Sequence, residues 1–374
     1  MNYDLQDIWG EIEKEIDKVN KKFNVPIGIA IIGFGNSGKS TLFNAIFGEN
    51  LQEIGAETDL TKKNRQEKKY STIVTDTPGY GTRRFTSDEI KEGLTSQHVI
   101  IHCLNGMSAI SKGDVGLFEF CKETDKQIIV VVNKADVMEK DEIKQYKKAV
   151  RDKMGGEIDP IFISAKTGLN MNKVVRRIVD VLPEAKRDAF LAKQQVDVEM
   201  KTSKARNYIH SAAVSAAAIA LSPIPVSDIL AIAPLQIGMV IKIGLIFGNQ
   251  LEKASAKELI GTVAGGVVFR YAAQVLVKFI PGIGSVVGPV IAYGGTVAIG
   301  EAAVAYFDSG MTLSEKELEE VYKSAKSDAE KTFKAEKREA TLKKNKEQIE
   351  KLNKDLKNRK ITQDEYEKKI KRLS

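Results

Sequence analysis

Apolar and polar positions follow three regimes along the 374 residues. In residues 2–23, Leu5, Ile8, Trp9, Ile12, Ile16 and Val19 recur at three-and-four spacing, which predicts an amphipathic helix. It is expected to pack on one of the folded domains that follow. The pattern then changes to short apolar runs separated by polar loops. Val25–Ile32, Ile73–Val74, Gln127–Val132 and Pro160–Ile163 read as buried strands, and Thr41–Phe47 as the first turns of a helix.

A third regime begins near Pro183. Residues 186–206 read as a polar, Lys-rich linker helix, and residues 207–307 are rich in Ala, Ile, Val and Gly. Their apolar stretches are Ile209–Leu221, Ile229–Gly248, Leu259–Phe269 and Phe279–Gly300. The last reaches the roughly 20 residues a bilayer span needs. It holds Gly284-x-x-x-Gly288, and Gly261-x-x-x-Gly265 lies upstream, a spacing that lets helices approach closely. Against insertion, Pro223, Pro225, Pro234, Pro281 and Pro289 break the runs. Asp228, Lys242, Arg270 and Lys278 interrupt or bound them, and charge at bilayer depth is costly. A soluble or conditionally inserting helical bundle is therefore favoured. From Thr312 the chain is charged and free of Pro and Gly. Leu318, Val321 and Ala325, then Ile349, Leu352 and Leu356, predict helix or a short coiled coil. Thr362 with Glu365 forms a capping box for a last helix; a solvated tail is the competing expectation.

Chemistry enters at Gly33-Phe34-Gly35-Asn36-Ser37-Gly38-Lys39-Ser40, which fits G-x-x-x-x-G-K-[ST] between a strand and a helix. Glycines let successive N–H groups turn inward, and the helix N-terminus adds partial positive charge, so the loop suits phosphate. Gly35, Asn36, Ser37, Gly38, Lys39, Ser40 and Thr41 are the candidate contacts, with Lys39 reaching the β- and γ-phosphates and Ser40 binding Mg²⁺. At another strand end stands Asp76-Thr77-Pro78-Gly79, where Asp76 would hold Mg²⁺ through water and the Gly79 N–H would touch the γ-phosphate. The loop threonine that completes the metal site is Thr61 in preference to Thr58. The basic, polar stretch after Thr61 reads as an edge strand.

Asn133-Lys134-Ala135-Asp136 then selects the base. A carboxylate at Asp136 accepts from guanine N1 and N2, donors that adenine lacks on that edge. Asn133 would tie this loop to the phosphate loop, and the Lys134 stem would lie on the base face. In Ser164-Ala165-Lys166, the Ala165 N–H is the candidate donor to guanine O6. A site built on hydrogen bonds rejects ligands that leave its polar groups unpaired.

In their order and strand-end context these motifs resemble an Era-like, translation-factor-class GTPase domain over residues 27–185. The resemblance implies an α/β P-loop domain with a mostly parallel six-stranded sheet and helices on both faces. It also implies GTP/GDP and Mg²⁺ as ligands, and slow hydrolysis with Lys39, Thr61 and Gly79 as catalytic groups. The usual glutamine after the D-x-x-G glycine is replaced by Tyr80. Asn36 resembles the K⁺-binding asparagine of some Era-like GTPases; the other reading is that it only shapes the loop turn. Arg83 or Arg84 could serve as an arginine finger in cis or across a homodimer. Residues 222–239 are similar to a helical domain of unknown function that follows such GTPase domains in bacteria, and residues 349–373 to a short C-terminal helical hairpin.

The expected organisation is an N-terminal helix (1–26), a GTPase domain (27–185), an all-α domain (186–310) and a charged helical tail (311–374). The net charge of +7 attracts anionic surfaces, but Lys is mixed with Glu. A membrane surface is a candidate partner through the helical domain. Nucleic acid is less favoured, because no RNA-binding module is recognisable. Cys103 and Cys121 fit buried thiols in a reducing cytosol, and His98, His102 and His210 have no metal-ligand spacing. With no secretory signal at the start, the expected location is cytoplasmic, with peripheral contact at the inner membrane.

Overall fold

The computed structural model describes residues 14, 16–48, 72–74, 87–221, 232–249, 288–336 and 338–373. The chain divides into two compact units, Lys22–Asp197 and Met1–Lys21 with Val198–Ser374.

The first unit is built on β1 (Ile29–Ile32), β2 (Thr72–Val74), β3 (Val99–Asn105), β4 (Gln127–Asn133) and β5 (Ile161–Phe162). They form one sheet in the order β2-β1-β3-β4-β5, every pair parallel. Continuous β-branched runs such as Ile-Ala-Ile-Ile suit strands buried on both faces. Helices α1 (Lys39–Phe47), α2 (Ser87–Thr95), α3 (Lys112–Lys122), α4 (Lys140–Met154), α5 (Met171–Val181) and α6 (Glu184–Lys193) connect and cover them. One core cluster gathers Leu104, Phe118, Val130, Val132, Val150 and Met154; another gathers Ala30, Ile32, Leu94, Ile100, Leu117 and Cys121. Strand order reverses between β1 and β3, which opens a crevice at the strands' carboxyl ends. The sheet has five strands among the described residues rather than the six expected. The stretch after Thr61, read as an edge strand, lies outside them.

Residues 186–206 are not one helix. α6 stops at Lys193 and α7 (Val198–Ile219) starts afresh. The cause is local: Gln194 Oε1 accepts from the Val196 and Asp197 N–H groups at 2.7 Å each, and its Nε2 donates to Asp197 O. Side-chain bonds of this kind compete with the helix ladder. The Asp197 carboxylate, almost fully buried, accepts from Arg176 Nε at 2.7 Å.

The second unit is helical: α7, α8 (Ile232–Ile246), α9 (Pro289–Asp308), α10 (Glu315–Ala335), α11 (Arg338–Lys344), α12 (Lys346–Lys357) and α13 (Gln363–Lys371). α9 is central and packs against α7, α8 and α10. By length and composition it could cross a membrane, but 67% of its apolar window is buried inside the unit. Pro289 opens α9 at its first turn and Pro234 sits in the first turn of α8, positions where a missing N–H costs nothing. Among the described residues, close approach occurs at Gly300 and Gly244. A Cβ at Gly300 would strike Ile209, and one at Gly244 would lie 2.9 Å from Phe307, whereas Gly288 faces open space as the cap of α9. Gly261, Gly265, Gly284, Pro223, Pro225 and Pro281 lie outside the described residues.

Residues 16–23 are helical, with Ile16 and Val19 buried. The tail is folded: α10 buries Leu318, Tyr322, Ala329 and Phe333, with the Phe333 ring 4.8 Å from Tyr293. α13 carries the expected Thr362–Glu365 capping box and buries Tyr366 and Ile370.

Candidate functional site

The loop between β1 and α1 turns through Gly33 (φ 149°), Asn36 (φ 63°) and Gly38 (φ 89°). Both glycines are also sterically required. A Cβ at Gly33 would strike the Cys103 carbonyl, and one at Gly38 would strike Asn133 Nδ2. Asn36 tolerates the left-handed region better than most residues, and the Ser37 N–H to Phe34 O bond of 3.3 Å closes the turn around it.

α1 begins at Lys39 with no side-chain cap and no acidic residue in its first turn. α3, α4, α10 and α13 instead carry capping boxes with acidic first turns. The phosphate-loop helix thus keeps its N-terminal donors and positive potential for an anion. Lys39 is buried, its Nζ 3.1 Å from Phe34 O across the loop. Ser40 and Thr41 are exposed on the first turn. Ser37 Oγ is buried and has no hydrogen-bond partner among the described residues, a donor unspent within the loop.

Asn133, at the end of β4, organises the rest. It is 3% exposed. Its Nδ2 donates to Ser37 O at 2.9 Å, and its Oδ1 accepts from the N–H of Lys134 at 2.9 Å and of Ala165 at 3.0 Å. One side chain therefore joins the phosphate loop, its own loop and the loop after β5. Lys134 adopts φ 68°, which turns the chain into a short 3-10 helix, Ala135–Val137, and leaves Asp136 exposed. The buried Ser164 Oγ accepts from Thr167 N–H, and Lys166 stands exposed on the turn. One expectation changes: the Ala165 N–H, assigned above to guanine O6, is engaged by Asn133.

Cys103 is the contributor the motifs did not reveal. Its carbonyl lies beneath Gly33 and its thiol donates to Ser37 O at 3.3 Å. Burial pushes that thiol up to about 12, so it acts as a neutral packing group. The signal was available in register, since β3 pairs with β1. Cys121 is likewise a buried free thiol. Thr58, Thr61, Asp76, Gly79, Tyr80, Arg83 and Arg84 lie outside the described residues.

Comparison with known proteins agrees with the loops. Residues 28–134 match the family model of a 50S ribosome-binding GTPase, and residues 187–331 match a domain of unknown function (DUF697). GTPase Era of Caldanaerobacter subterraneus subsp. tengcongensis is 29% identical over 168 residues, covering 42% of this chain and 56% of the relative. GTPase Der of Pelotomaculum thermopropionicum is 29% identical over 175 residues, covering 43% and 38%. Among solved structures, Era in complex with MgGDPNP and a segment of 16S ribosomal RNA is 27% identical, covering 42% of this chain and 57% of that one, with a TM-score of 0.33. The chain spans about half the length of the curated relatives it matches. An Era-like P-loop GTPase domain is thus joined here to a DUF697 domain.

Proposed function

We propose that the Lys22–Asp197 unit binds GTP and hydrolyses it slowly to GDP and phosphate, in the cytoplasm, and that its switch loops bias the helical unit. The observation that carries this reading is the Asn133 side chain. It holds a phosphate loop and two guanine-type loops in one constellation. Asp136 accepts from guanine N1 and N2, the Lys134 stem covers the base, and the Lys166 N–H takes the O6 contact in place of Ala165. Lys39 and the open N-terminus of α1 hold the β- and γ-phosphates. Ser40, with Asp76 and Thr61, would hold Mg²⁺, which supplies charge neutralisation at the phosphates.

The base assignment is tested by titrating GTP and xanthosine triphosphate against Asp136→Asn. The variant should lose at least tenfold in GTP affinity and gain for xanthosine triphosphate. Unchanged GTP affinity would remove the assignment. Because Tyr80 stands where a water-orienting glutamine is usual, we assign Asn36 as a K⁺ ligand that helps neutralise the transition state. Turnover should rise at least tenfold in K⁺ over Na⁺; equal rates exclude that role.

A membrane partner is the second reading, favoured by the apolar helices α8 and α9. Because α9 is a core helix, such contact would fall to the surface of its unit.

A further inference from the structure

The chain's positive charge is concentrated at one place. Residues 338–373 hold thirteen lysines and arginines against seven acidic residues, an excess of six where the whole chain has seven. Helix α10 has no such excess, with five lysines against six acidic residues.

The fold sharpens this bias. Asp364 is half-buried and paired, its carboxylate 2.9 Å from Lys18 and 3.3 Å from Lys242 of α8. Glu367 accepts from Ser211 of α7 at 2.9 Å, and Glu365 is held in the α13 capping box. At the other end, Asn345 Nδ2 donates to Leu373 O at 2.7 Å, which brings residues 343–346 beside residues 368–372. Lys343, Lys344, Lys368, Lys369, Lys371 and Arg372 are all exposed there, with Glu347 beside them. Cations do complement helix C-termini, but one or two at each end satisfy that need. The field of this end reaches α7: His210 is held below its ordinary range by burial, then by Arg338 and Lys371.

We propose that this basic end of the α12–α13 hairpin docks on an anionic, phosphate-bearing bilayer surface. The proposal rests on the membrane reading above and names its contact. A nucleic-acid reader favours arginine forks and aromatic platforms. Here five of the six cations are lysines, and Tyr366, the hairpin's one aromatic, is fully buried with its hydroxyl 2.6 Å from Asn353. Point charges on flexible stems suit a plane of headgroups.

The test is co-sedimentation of the full chain with phosphatidylcholine vesicles, with and without phosphatidylglycerol, over a salt series. The same is done for K344E/K368E/K369E/R372E and, to preserve folding, K344Q/K368Q/K369Q/R372Q, with circular dichroism and GTP affinity as fold controls. The full chain should pellet only with anionic vesicles, less so as salt rises. Each cation removed should cost about fivefold, so both variants should bind at least about a hundredfold more weakly. Folded variants that pellet like the parent would overturn the hairpin site and leave the membrane reading standing. No pelleting with either vesicle, or binding of a homopolymeric RNA in place of anionic vesicles, would overturn both.

Discussion

At the scale of single residues, Asn133 shows why the nucleotide motifs were legible in sequence and their wiring was not. The tetrapeptides announce which groups face a ligand. They do not say that one amide spends both ends inside the protein and takes the Ala165 N–H that the sequence assigns to guanine. His102 makes the opposite point: no motif marks it, and its consequence is physical. It lies in the middle of β3, fully buried, both ring nitrogens without partners among the described residues, its ring stacked 6.1 Å from Phe118. Burial holds it down at about 4, against a minor opposing pull from Asp114. Because the unfolded chain takes the proton near 6.5 and the folded one does not, the contribution is complete above pH 6.5. It is lost as pH falls from there to about 4, where the folded state protonates too. That shift corresponds to about 3 kcal/mol. His102→Leu, which fills similar space without titrating, should flatten the denaturation midpoint across this window. A parent-like slope would assign the acid sensitivity to other groups.

At the scale of elements, the strands and capped helices were readable because short-range rules decide them. Apolar runs gave β1 and β4, and the Thr362–Glu365 box was visible as two residues three apart, whereas β3 (Val99–Asn105) was not among the strands expected. The tail stripe was half right. Leu318 and Ile349 are buried and Val321 and Ala325 half-buried, while Tyr322 and Phe333, which the stripe did not include, are also buried, the Phe333 ring against Tyr293 of α9. The α9–α7 crossing was not readable. Nothing local marks Gly300 as the point where a Cβ would meet the buried Ile209, since the contact joins residues 91 positions apart. In an isolated helix, Gly300→Leu would gain about 1 kcal/mol in propensity. Overpacking of about 1–3 kcal/mol outweighs it. The substitution should lower the thermal midpoint of the helical unit, and a raised midpoint would mean that the crossing relaxes freely.

At the scale of the whole molecule, the chain's charge and its covalent junction matter more than any single motif. The sequence placed the domain change near residue 186, where composition shifts. The DUF697 match begins there, at residue 187, while the compact unit runs on to Asp197, because residues 194–197 are bound into it by contacts that composition cannot show. The Gln195 N–H donates to Ile46 O at 2.8 Å, at the far end of the helix whose first turn forms the phosphate site, and Asp197 pairs with Arg176 of α5. Three residues beyond Gln195 the chain enters α7. A fragment of residues 22–197 should therefore fold cooperatively and bind GTP as the full chain does. A fragment ending at Lys193 forfeits the Gln195 bond and the charged Arg176–Asp197 bond, and should be less stable by about 1–3 kcal/mol. Denaturant melts of the two fragments, read with GTP titrations, decide the point. If the shorter fragment is equally stable, residues 194–197 are a passive connector, and a switch acting through α1 must reach the helical unit by another route.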